Sequence, residues 1–132
     1  MKNFHELPVN VRDYINERFS YHNMSGEEAF NHPGIFPDEL KSMNPDHMVE
    51  VLENKDISHI MPVSKYPELS DNLDNVILED ISINRARQAE IMTDSEKEFA
   101  MDDLLSDIKD GDFNDDGIID LETVLNNADQ IE

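Results

Sequence analysis

Ser58-His-Ile-Met-Pro-Val-Ser64, Asp74-Asn-Val-Ile-Leu-Glu79 and Ser82-Ile-Asn-Arg-Ala-Arg87 follow one another within thirty residues. Residues 57–63 read as a short strand, with Pro62 marking an edge or an early end because proline has no N–H to give a ladder. Residues 64–74 are a polar loop containing Pro67, and Val76-Ile-Leu78 make a second short strand. From Asp80 a helix is expected to about Met92, with Ile81, Ile83, Ala86, Ala89 and Ile91 as its apolar residues. The local order is therefore strand, loop, strand, helix.

Helices flank this unit. Behind Pro8, Val11, Ile15 and Phe19 recur at helical spacing and predict a helix over 8–21. Ser25 with Glu28 is a capping-box pattern, His32-Pro33-Gly34 is a break, and residues 37–43 suit another short helix. Asn44-Pro45 supplies a cap and a first-turn proline for a helix whose buried stripe is Met48, Val51 and Leu52, ending near Asn54. After the unit, Thr93 or Asp94 caps a helix carrying Phe99, Met101, Leu104, Leu105 and Ile108. A Gly/Asp loop over 110–120 and a short helix over 121–128 complete the reading. The expected fold is α+β and mostly helical. It has three consecutive segments: 1–55, helical and packed on the unit; 56–92, the strand–strand–helix unit; and 93–132, an acidic helix–loop–helix.

At 132 residues the chain suits one domain with a modest core. Without cysteine it has neither a disulfide framework nor a thiolate zinc site. The first residues lack an apolar core of signal-peptide type, and no long apolar run suggests a membrane span. A cytoplasmic location is expected. The formal charge is −21, of which residues 93–132 carry −12. Such a charge favours solubility and opposes binding to bulk nucleic acid. Arg85 and Arg87 are among the few cations, and both stand beside Asn84.

Phosphodiester hydrolysis needs an activated water, an electrophile for the developing charge and stabilisation of the leaving oxygen. A histidine at a strand end can take the proton of the water, and a hard cation on oxygen ligands can polarise the phosphate. His59, Asn75 and Asn84 stand at the spacing of the HNH nucleases, and the stretch resembles their ββα-metal, or His-Me, finger. The resemblance covers about a quarter of the chain. It is carried by the nine-residue step from Asn75 to Asn84, by Ile-Met-Pro-Val-Ser after the histidine and by Asn84-Arg85. It implies that His59 is the general base, that Asn75 ties the loop to the backbone and orients His59, and that Asn84 ligates Mg²⁺ or Mn²⁺. Arg85 and Arg87 are then phosphate contacts, Arg87 in a bidentate manner. The chain departs from the family at Ser58, where an Asp usually supplies a second ligand. Asp56 lies on the same strand face, about 6–7 Å away, and reaches the metal if the strand bulges.

A second motif lies near the C-terminus. Asp112, Asn114, Asp116, Ile118, Asp120 and Thr123 occupy the ligand positions of a stretch that resembles an EF-hand or dockerin calcium loop, with Gly117 at the turn. The departure is Thr123, where the motif has a carboxylate. Bound Ca²⁺ would relieve the repulsion among Asp110, Asp112, Asp115 and Asp116.

Two classes of function follow from these resemblances. One is a metal-dependent DNA endonuclease or nickase. The other is a non-catalytic protein that uses the finger as a scaffold and presents its acidic tail, with a divalent cation, to a protein partner. A small, cysteine-free, Asn- and Asp-rich chain of this kind looks like many products of tailed bacteriophages. The second class therefore includes a virion or assembly component binding phage structural proteins, in the host cytoplasm or the virion.

Overall fold

The computed structural model describes residues 3–115, with side chains to residue 110. Helix α1 (Val9–Ser20) starts at Pro8 and buries Val11, Ile15 and Phe19, one residue per turn on the inner face. Ser25 caps α2 (Gly26–Phe30) by accepting from the Glu28 N–H at 3.2 Å. The two helices pack closely: a Cβ on Gly26 would lie 2.3 Å from Asn16 Oδ1 and 2.8 Å from Asn16 Cα. Helix α3 (Asp38–Lys41) is a single turn. Helix α4 (Pro45–Glu53) is capped by Asn44, whose Oδ1 accepts from Asp46 N, and it buries Met48, Val51 and Leu52 as their spacing predicts. Arg18 of α1 donates to the carbonyl oxygens of Leu52 and Lys55, which joins α1 to the end of α4 and to the strand that follows.

Strands β1 (Lys55–His59) and β2 (Val76–Asp80) pair antiparallel, from Lys55 opposite Asp80 to His59 opposite Val76. Alternation places Lys55, Ile57 and His59 on one face of the sheet and Asp56 and Ser58 on the other. Helix α5 (Ile81–Arg87) follows β2 directly, and its Asn84, Arg85 and Arg87 reach the polar face. Helix α6 (Asp94–Asp115) closes the core with Leu104 and Ile108. Thr93 and Glu96 form its capping box, each side chain accepting from the other's backbone N–H. One hydrophobic cluster runs from Phe4 to Ile108, so the three segments of the sequence reading share a single core. Each large aliphatic or aromatic side chain in it contributes roughly 1.5–3 kcal/mol of burial.

The fold is α+β and mostly helical, as expected. The boundaries differ in instructive ways. β1 begins at Lys55 and ends at His59, because the chain turns at Pro62, whose carbonyl accepts from Lys65 N and Tyr66 N. Helix α5 stops at Arg87, short of Met92, and buries none of its residues fully. Ile91 is 48% exposed and so outside the core. In α6, Phe99 points outward while Ala100, Leu104 and Ile108 are buried. The backbone stays helical to Asp115, so residues 110–115 belong to a helix where the sequence suggests a loop. That places Asp112 and Asn114 on helical backbone; Asp116, Ile118, Asp120 and Thr123, with the expected final helix, lie outside the described residues. Among the described residues no helix is long and apolar enough to cross a membrane.

Candidate active site

His59 closes β1, and its Nε2 lies 2.9 Å from the carbonyl oxygen of Ser70 in the loop between the strands. A carbonyl only accepts, so Nε2 carries the hydrogen and Nδ1 keeps its lone pair. Nδ1 has no partner among the described residues, which leaves it available as a base. His22, which the sequence reading passed over, stands edge-on against His59 with ring centroids 5.2 Å apart. Burial first, then repulsion from the neighbouring His59 ring when it carries a proton and from Arg18, push the His22 imidazole below its ordinary value against the opposing pull of Asp56. No periodicity or motif marks His22, because the contact joins the end of α1 to a strand far along the chain.

Asn75 is buried and ties the loop together. Its Oδ1 accepts from Met61 N at 2.9 Å, and its Nδ2 donates to Met61 O at 3.1 Å and Leu69 O at 3.3 Å. Its own carbonyl accepts from Ile60 N at 2.7 Å. Leu69 precedes Ser70, the residue that holds His59. The clamp at Asn75 therefore anchors the loop one residue before the carbonyl that holds the imidazole.

The other face carries a dense polar network. Asn84 spans two strand residues: Ser58 Oγ is 2.6 Å from Asn84 Oδ1, and Asn84 Nδ2 donates to Asp56 Oδ2 at 2.9 Å. The register is regular through Asp56 and Ser58, without a bulge. The carboxamide itself bridges the pleat repeat that separates them. Ser58 has one hydroxyl proton but faces two acceptors, Asn84 Oδ1 and Glu79 Oε1, the latter at 2.9 Å. The hydroxyl hydrogen goes to the nearer acceptor, Asn84 Oδ1, while Glu79 Oε1 accepts from Arg87 Nη1 at 2.9 Å and the carboxamide keeps its Nδ2–H on the Asp56 carboxylate. The Asn84 amide oxygen and the Asp56 carboxylate are the hard oxygen donors of this face. The donor set fits a hard cation.

Arg87 does not serve as a phosphate contact in this arrangement. Its guanidinium is bidentate to Glu79, donates further to Glu96 Oε2 at 3.2 Å, and has a side chain only 6% exposed beside a Glu79 that is 2% exposed. A carboxylate buried under α5 needs a cation, and Arg87 meets that need; breaking such a pair costs about 3–5 kcal/mol. Arg85 is different. It is 71% exposed and holds only Asp56 Oδ2, at 3.3 Å, so it remains accessible.

A second cation is buried on the core-facing side. Lys55 Nζ is fully covered and donates to Asp80 at 2.6 Å and to Asp103 and Asp107 at 2.9 Å each. Burial alone would lower the Lys55 ammonium, but its hydrogen bonds to Asp107, Asp80 and Asp103 outweigh it and hold the group protonated well above its ordinary range. The three carboxylates lie within 4.8 Å of one another, close enough to hold a metal ion, and the ammonium already stands among them. A lysine at a strand start and aspartates one turn apart on a helix carry no sequence pattern that foretells this.

A cleft of about 220 Å³ opens at the end of β1, lined by Ile57, His59, Pro62, Ser64, Asn84 and Gln88 among others. Larger hollows of about 630 and 940 Å³ lie elsewhere, and neither is lined by His59 or Asn84. Chemistry, more than volume, singles out the small cleft. Gln88 ends α5 with φ 56° and ψ −130°, a backbone region suited to glycine. For a residue with a Cβ this costs of order 1–3 kcal/mol.

No protein-family model matches the chain, and comparisons with curated proteins and with solved structures found no match either.

Proposed function

We propose that β1, β2 and α5 form an HNH-like ββα finger and that the protein is a metal-dependent DNA endonuclease or nickase. The observation that carries this reading is the shared cleft of His59 and Asn84, with the free Nδ1 of His59 set by Ser70 and Asn75. His59 Nδ1 takes a proton from the attacking water, while its Nε2–H stays on the Ser70 carbonyl and keeps the ring in place. Asn75 holds the preceding carbonyl, that of Leu69, and so anchors the loop that carries Ser70. Asn84 and Asp56 would hold Mg²⁺ or Mn²⁺, which when bound supplies Lewis-acid polarisation of the phosphate and stabilises the leaving oxygen. Arg85 is the accessible phosphate contact. With one exposed arginine at the site and a charge of −21, binding to bare DNA is weak, and delivery by a partner is expected.

A specific observation favours a second reading. Arg87 and Glu79 form a buried pair beneath α5, and Asn84 is hydrogen-bonded on both ends, as in a rigid scaffold. In that reading the finger is non-catalytic, the protein is a phage virion or assembly component, and the acidic tail with its calcium-like loop meets a protein partner.

Incubating supercoiled plasmid with the protein in Mg²⁺, Mn²⁺ or EDTA, beside His59→Ala, decides between them. Metal-dependent nicking lost in His59→Ala supports the enzyme. Absence of nicking in every metal overturns it in favour of the scaffold.

A further inference from the structure

We infer that Gln88 is a substrate-contacting residue of the cleft, its carboxamide presented to the backbone of a polynucleotide beside His59. This role presupposes the nuclease reading above and adds to it the group that holds the substrate.

The polar residues lining the cleft are His59, Ser64, Asn84 and Gln88; neither Lys nor Arg is among them. A phosphodiester entering here meets neutral N–H and O–H donors, which position a backbone by hydrogen bonding without a large net charge. That suits a chain whose formal charge of −21 leaves few cations to spare. The donors are not equally free. His59 Nε2 is committed to Ser70, and Asn84 to Ser58 and Asp56. The side chains of Ser64 and Gln88 are exposed and have no hydrogen-bond partner among the described residues, and of the two Gln88 has the longer reach. Its carboxamide brings two N–H donors and one acceptor.

The backbone points the same way. At φ 56° and ψ −130° a glycine would sit without strain, yet this position carries a long polar side chain that enters no core. Backbone strain of this kind concentrates at functional sites, where the surrounding structure imposes it. Here the strained residue borders the cleft that contains the proposed base.

The test compares wild type with Gln88→Gly, Gln88→Ala and Gln88→Glu. Three readouts apply: thermal unfolding, anisotropy of a fluorescein-labelled duplex oligonucleotide in Ca²⁺, and plasmid nicking in Mg²⁺ or Mn²⁺. Gln88→Gly is expected to raise Tm by about 4 °C by releasing the strain. The same variant should weaken duplex binding about tenfold, as loss of a hydrogen bond to a charged group does. Gln88→Ala should weaken binding equally without the gain in Tm, and Gln88→Glu should weaken it further by repelling phosphate. In nicking, KM should rise while kcat is kept. If wild type nicks and Gln88→Ala and Gln88→Glu bind and nick as it does, the role of Gln88 falls and the nuclease reading stands. If wild type neither binds nor nicks in any metal, the nuclease reading falls and the role of Gln88 with it.

Discussion

Replacing Lys55 by Met removes one ammonium and keeps the buried stem. In the wild type that ammonium makes three charge-assisted hydrogen bonds, at 2.6, 2.9 and 2.9 Å, to carboxylates whose side chains are 35%, 26% and 39% exposed. Deleting one member of a buried ionic cluster costs about 3–5 kcal/mol, chiefly because the remaining charges are left uncompensated. The partial exposure of the three aspartates puts the expected loss near the lower end, about 3 kcal/mol, a large share of a stability of roughly 5–15 kcal/mol. Urea unfolding followed by far-UV circular dichroism at neutral pH measures it, with Tm lowered by about 10–15 °C. Because the loss arises from three carboxylates within 4.8 Å of one another, adding Asp103→Asn to Lys55→Met should recover about 1 kcal/mol. Millimolar Ca²⁺ should raise the Tm of Lys55→Met more than that of the wild type. The linkage has a definite sign. Lys55 is raised, so its contribution is present below its unfolded value of 10.5 and is lost only as pH rises through the elevated folded value. The hydrogen bond from Lys55, outweighing burial, lowers Asp80; its contribution is present above 3.8 and is lost as pH falls through the lower folded value. These are two views of one interaction, and the wild-type contribution is flat between those limits. A Lys55→Met variant within 1 kcal/mol of wild type, or no recovery with Asp103→Asn, would refute the reasoning.

Arg87→Lys should lose about 3 kcal/mol in chemical denaturation, because a point-charge ammonium cannot reproduce the bidentate grip on buried Glu79. Gly26→Ala should cost about 1–3 kcal/mol, measured the same way, since its Cβ would meet Asn16 backbone atoms 2.8 and 2.9 Å away. Lowering pH should weaken the protein below the unfolded His22 value of 6.5, because the unfolded chain binds the proton more readily than the folded one. His22→Gln should reduce that loss in denaturation midpoints compared between neutral and mildly acidic buffers. If DNA binding is detected, log K against log salt should have a slope near −1, reporting the single exposed contact Arg85; a slope of −4 or steeper would mean a broader basic surface.

Much of the helical architecture was legible from local chemistry. Ser25, Asn44 and Thr93 start their helices where their capping roles predict, Pro8 stands one residue before α1, where a first-turn position was expected, and Met48, Val51 and Leu52 form the buried stripe of α4. The strand order around His59 was also legible; the hydrogen bonds of Asn75 stay within its own loop, but its sequence expectation rested on the family resemblance alone. Less legible were the ends of elements. The turn at Gln88 has no glycine to announce it, and Phe99 looks apolar in a helix whose buried face is set by Ala100, Leu104 and Ile108. Arg85 and Arg87 read alike in sequence. Only the position of Glu79 under α5 sends one inward and leaves the other in solvent.

Sequence alone determined the order of helices and strands, their caps and the apolar stripes, because those depend on residues within a turn or two of one another. Tertiary structure decided which charged and imidazole groups meet. Lys55 among Asp80, Asp103 and Asp107, Arg87 on Glu79 and Glu96, and His22 against His59 all join different elements of the fold. Whether such a group is buried and paired depends on the partner that packing brings to it, and no spacing along the chain encodes that.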